Sequence, residues 1–93
     1  MGRSVKTVAQ TSQFKQDLKR VKNSGRYAVD DLLVVVDLLS QNQPLPEKYK
    51  DHYLTGNWKN HKECHVKPDW LLIYQSTADK IVLTRTGSHS ELF

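Results

Sequence analysis

The chain changes its hydrophobic rhythm once, and the change divides it. Between Ser12 and Ser24 apolar side chains recur at Phe14, Leu18 and Val21, the spacing of one face of a helix. Ser12 offers a side-chain cap at its start, and the Ser24-Gly25 pair offers a stop. The next run, YAVDDLLVVVDLLSQN, has the valines of a buried strand, but its length and the recurrence of Asp30, Val34, Asp37 and Gln41 along one side predict a second helix. A short strand near residues 5–9 precedes this helical hairpin. Beyond the proline-punctuated QPLPEKYKD the period falls to two, predicting strands around residues 53–58, 62–66, 70–75 and 80–86. Gly56, Lys67-Pro68-Asp69 and Thr77-Ala78-Asp79 supply the turns. Connections this short require antiparallel pairing, and residues 71–74, apolar on both sides, predict a central strand. The expected fold is α+β: two N-terminal helices packed on one face of a small, mainly antiparallel β-sheet.

Composition narrows the setting. A chain of 93 residues, 38% hydrophobic, has room for one core, so a single domain over residues 1–93 is expected. Its one cysteine cannot form an internal disulfide, and it shows neither a secretory signal nor an apolar run of membrane length. A cytoplasmic location without membrane association is the expectation. The net charge of +4 sits unevenly: residues 1–50 carry nine Lys and Arg against five Asp and Glu, whereas residues 51–93 carry five against five. Lys15, Lys19, Arg20, Lys22 and Arg26, with Asp17 alone opposing them, make the first helix a candidate anion-binding surface. All four histidines, His52, His61, His65 and His89, lie in the neutral half.

The stretch HVKPDW concentrates the candidate chemistry. In KECHV, Cys64 shares a side with Lys62 and Val66, and His65 shares the other with Glu63 and Lys67, so His65 points away from the helices. Asp69 and Trp70 join it on that face if the proline turn folds back over it. The same pattern also fits an aspartate that merely suits a turn, a histidine on a solvated strand and a tryptophan in the core. His52 precedes the strands and His89 follows the last one, so three histidines converge at one end or face of the sheet. Zinc fits poorly, because no Cys or His pair has the tight ligand spacing and Cys64 and His65 face opposite ways. Metal-free cleavage of RNA by its own 2′-hydroxyl fits better. It needs one group to take the hydroxyl proton, another to protonate the leaving oxygen, and a donor to steady the phosphorane. Imidazoles serve because one copy is neutral and another protonated near neutral pH. Aromatic rings would stack on splayed bases.

The segments YKDHYLTGNW, HVKPDWLLIYQ and LTRTGSHSELF, in this order and at these spacings, resemble the YafQ branch of the RelE/ParE superfamily of bacterial toxins. The likeness is close from Leu45 to Phe93 and one of layout before that. It implies a RelE-like fold ending in a short helical turn, and a ribosome-dependent endoribonuclease that cuts mRNA in the ribosomal A site. It also implies neutralisation by a cognate antitoxin, with no cofactor and no small-molecule partner. By position it assigns His52, His65, Asp69 and His89 to catalysis, with His89 as general acid and the others activating the 2′-hydroxyl. Trp70 and Phe93 would shape the base pocket, and Arg85 would touch phosphate or remain a surface charge. Trp58 and Tyr74 would be core or rim, and His61 has no role. Lys67 stands where the family turn carries an acidic residue. Since the superfamily also contains toxins that act on DNA gyrase, a non-catalytic ParE-like toxin or nucleic-acid-binding module is the competing reading, one that has no need of this histidine set.

Overall fold

In a computed structural model, which describes residues 5–93, the first helix is α1 (Ser12–Ser24). Its cap is Thr11 rather than Ser12: the Thr11 hydroxyl oxygen accepts from the Phe14 amide at 3.0 Å and donates to the Thr84 carbonyl at 2.8 Å. The residue with extended backbone geometry takes the cap, and here that is Thr11 (φ −74°, ψ 160°). Gly25 ends the helix in the left-handed region at φ 70°, where a side chain would be strained. Helix α2 (Val29–Ser40) buries Leu32, Val35 and Leu39, a single helical stripe, and turns Leu33 and Val34 outward.

The strands are β1 (Thr7–Gln10), β2 (His52–Tyr53), β3 (Lys62–Lys67), β4 (Trp70–Ser76) and β5 (Lys80–Gly87), in the sheet order β1-β5-β4-β3-β2. β1 runs parallel to β5, and the remaining neighbours are antiparallel. The expected strand over residues 53–58 is largely absent. Only two residues pair as β2, and Gly56–Trp58 forms a 3₁₀ turn that begins on Gly56 at φ 66°. A last helix, α3 (His89–Leu92), closes the chain with a capping box between Ser88 and Glu91.

Both faces of β4 are covered, which makes it the central strand. Trp70, Leu72 and Tyr74 join Cys64, Val66, Ile81 and Leu83 beneath Phe14 and Val21 of α1 and Leu32, Val35 and Leu39 of α2. Leu71 and Ile73 face the other way, against Leu92 of α3 with Leu54 and Trp58. Glu63 and His65, paired with Ile73 and Leu71, share this second face.

Candidate active site

Register decides which side chains meet. His52 lies opposite Glu63 across β2 and β3, and alternation along β3 puts Glu63 and His65 on the same side. Glu63 Oε1 is 3.4 Å from His52 Nε2 and 3.8 Å from His65 Nε2. Each imidazole is oriented from behind by a carbonyl that can only accept: Lys50 O lies 2.7 Å from His52 Nδ1, and Pro68 O lies 3.3 Å from His65 Nδ1. These contacts suit the tautomer in which Nδ1 donates, with Nε2 of each ring turned toward Glu63. The Glu63 side chain is 5% exposed, and its Oε2 has no hydrogen-bond partner among the described residues. A buried carboxylate oxygen without a donor is costly.

His52 is placed by its neighbour. Asp51 accepts from the Tyr74 hydroxyl at 2.5 Å and from Lys62 Nζ at 2.6 Å, which pins the loop to β3 and β4. Burial, with the Asp51 carboxylate beside it, drives the Tyr74 hydroxyl far above the usual phenol range, so its proton stays on this bond.

Asp69 connects the β3–β4 turn to α3. Its Oδ1 accepts from the His89 amide at 3.3 Å, and its Oδ2 lies 3.9 Å from Arg26. The His89 ring packs against Phe93 with centroids 5.1 Å apart, and both side chains are exposed. His52 and His65 thus meet at Glu63, and Asp69 ties the turn after His65 to the backbone of His89, whose ring lies against Phe93; this string of contacts is the candidate rim. His61 lies outside it, edge-on to Trp58 at 5.4 Å.

Trp70 is not part of that rim, which corrects the expectation that it shapes a base pocket. Pairing of Cys64 with Leu72 and of His65 with Leu71 leaves Trp70 in step with Leu72, on the helix side. There it is 0% exposed, stacks on Tyr27 at 5.0 Å, and donates through Nε1 to Thr86 Oγ1 at 2.8 Å. A register shift between His65 and Lys67 also swings Lys67 off the His65 side, to within 3.5 Å of Asp31 on α2.

Arg85 is engaged from within. Its Nε and Nη2 donate to Asp17 at 2.7 and 3.2 Å, and Asp17, fully buried, also accepts from Gln13 and from the Thr86 amide. Burial alone would raise the Asp17 carboxyl, but hydrogen bonds from Arg85, Gln13 and Thr86 hold it below the ordinary carboxylate range. Of the basic residues on and after α1, Arg20 pairs with Asp17 and Glu91, and Arg26 pairs with Asp69. Lys15, Lys19 and Lys22 are exposed and make no ion pair among the described residues.

Two residues were missed in the sequence, and both had left a signal. Glu63 is two positions from His65 and so shares its face. Asp17 interrupts the apolar stripe of α1 between Phe14 and Val21, where a charge needs a buried partner. Cys64 lies in the core on the opposite face, its thiol pushed up by burial. Among the described residues, no group of three or more His, Cys, Asp or Glu is placed to hold a metal ion.

Residues 6–93 match the family model described as the bacterial toxin of a type II toxin-antitoxin system, YafQ. The chain belongs to this family. The family's mRNA interferase toxin YafQ from Escherichia coli K12 is 39% identical over 84 residues, 89% of this chain and 90% of the relative. YafQ in the crystal structure of the E. coli DinJ-YafQ toxin-antitoxin complex superposes with a TM-score of 0.87 at 37% identity, covering 95% of this chain and 97% of that one. A metal-bound toxin from Helicobacter pylori matches with a TM-score of 0.84 at 44% identity, over 94% of this chain and 98% of that one. The layout of helices and sheet described above is therefore the family's layout.

Proposed function

We propose that this toxin is an endoribonuclease, an mRNA interferase that cuts mRNA in the ribosomal A site through attack by the 2′-hydroxyl, without a catalytic metal. The observation that carries the reading is the buried Glu63 carboxylate between two imidazoles whose Nδ1 atoms are already committed to carbonyls. His52 or His65, neutral at Nε2, accepts the 2′-hydroxyl proton, and Glu63 Oε1 is the nearby acceptor for the resulting N–H. His89, across the 65–69 turn, protonates the departing 5′ oxygen. Asp69 sets the backbone from which His89 projects, and Phe93 offers a ring against which a base stacks. Each well-placed acid or base contributes on the order of 10² to 10⁴ in rate.

Arg85 holds α1 to β5 first. The N–H groups it does not spend on Asp17 are the ones proposed to meet phosphate. Lys15, Lys19 and Lys22 supply weak, additive contacts to ribosomal RNA, and the ribosome positions the message that so small a chain cannot grip alone. The reading places the toxin in the cytoplasm with the ribosomes; among the described residues no helix is long and apolar enough to cross a membrane. A cognate antitoxin keeps it silent, as the complex of the E. coli relative with DinJ supports. The test is incubation with programmed ribosomes. Wild type yields a cut with a 2′,3′-cyclic phosphate end, whereas His65→Ala and His89→Ala keep their fold and antitoxin affinity but lose cutting. Retained cutting in both variants would refute the assignment.

A further inference from the structure

The C-terminal helix that carries His89 and Phe93 has four residues and cannot hold a direction by itself. Three things fasten it: buried Leu92, the Asp69 bond to the His89 amide, and Glu91. Glu91 has two tasks. Its Oε1 accepts from the Ser88 amide at 2.8 Å, closing the cap, and its Oε2 lies 3.0 Å from Arg20 Nε. The other end of that guanidinium, Nη2, is 3.2 Å from the buried Asp17 carboxylate, which also holds Arg85 and the Thr86 amide. A half-exposed ion pair standing alone contributes little. Here one planar fork bridges a fixed internal anion and the cap of the helix that carries the chemistry. The backbone makes room for it: Gly87 has φ 154°, and a Cβ there would lie 3.0 Å from Glu91 Oε1 and 3.4 Å from Arg20 Nη2.

We propose that Arg20 is a positioning residue for His89, clamping α3 to α1 through Glu91 and Asp17, and that it is not one of the ribosome-binding cations. The inference rests on the endoribonuclease reading for its kinetic consequence only. Arg20→Ala leaves the Ser88–Glu91 cap intact and releases only the clamp. On programmed ribosomes it lowers kcat about tenfold with KM unchanged, the size expected when a catalytic group is displaced by a fraction of an ångström. Arg20→Lys keeps the charge but cannot bridge two carboxylates, so it falls as far as Arg20→Ala. The double variant Arg20→Ala/Glu91→Gln falls no further than Glu91→Gln alone. A phosphate-binding Arg20 would behave oppositely: KM would rise, Lys would rescue, and the effects would add. Lys19→Ala supplies that contrasting pattern on the same helix. Amide exchange at Leu92 and Phe93, whose N–H groups bond to Ser88 and His89 carbonyls, needs no ribosome and accelerates severalfold in Arg20→Ala. Wild-type exchange rates in that variant would overturn the proposal. If wild-type protein cuts no mRNA, the endoribonuclease reading fails while the exchange measurement still decides the clamp.

Discussion

Replacing Trp70 by Phe separates a core tryptophan from a base-stacking one. Phenylalanine retains the stack on Tyr27 but has no N–H, so Thr86 Oγ1 loses its donor while still donating to the Leu71 carbonyl at 2.7 Å. Loss of that buried hydrogen bond costs about 1 kcal/mol. The missing ring atoms leave a gap on the fully buried helix-side face, which adds about 1–2 kcal/mol in lost transfer energy and cavity. The sum, about 2–3 kcal/mol, lies below the 5–15 kcal/mol typical of a small domain, so the variant stays folded at 25 °C. At roughly 4–8 °C per kcal/mol for a chain of this size, the melting temperature falls by about 10–20 °C. The assay is a thermal melt followed by circular dichroism, paired with single-turnover cleavage of a programmed ribosome at 25 °C. The rate per folded molecule remains within about threefold of wild type, because the ring touches none of the proton-transfer groups. A variant that melts like wild type yet no longer cuts would show that the indole serves the substrate, and the helix-side assignment of Trp70 would be wrong.

Other expectations follow from the same geometry. Glu63→Gln keeps the shape but removes the negative charge that would steady a protonated imidazole, so single-turnover cleavage drops on the order of 10²-fold while the urea midpoint holds or rises, since a buried charge has been removed. Asp17 has a folded pKa below its unfolded value, so its contribution to stability is fully present above about pH 4 and is lost as pH falls through the folded value. Urea midpoints measured from pH 6 down to pH 2 therefore decline in wild type and stay flatter in Asp17→Asn; parallel curves would contradict the pairing with Arg85. Reversing Lys15, Lys19 and Lys22 to Glu weakens ribosome association and reduces the slope of log affinity against log salt, read by pelleting across a salt series. Unchanged binding at low salt would remove α1 from the ribosome interface.

What could be read in advance follows the local or long-range origin of each feature. The stripe of Leu32, Val35 and Leu39, the stop at Gly25 and the two-sided burial of residues 71–74 depend on neighbours in sequence, and the expected and observed elements agree there. The helix start was misplaced by one residue because Thr11 and Ser12 carry equivalent hydroxyls, and only backbone geometry chooses between them. His65 lies on the side that alternation assigns. For Trp70 the pattern fitted either the outer face, if the turn folded back over it, or the core, and pairing with β3 keeps it in the core, in step with Leu72. Lys67 was misassigned by a bulge that leaves no mark in composition. Arg85 looked like a free cation because its partner, Asp17, is 68 positions away and identifiable only as a charge out of place on an apolar stripe.

The two-residue length of β2 leaves one end of the candidate site on a lightly held edge. β4 is shielded on both sides and should be the last strand to admit deuterium, while His52 hangs from an edge with two paired residues and one pinned aspartate. Breathing of that margin does not require unfolding of the interior. A substitution in the 50–60 loop should therefore shift the position of His52 while leaving the architecture beneath untouched.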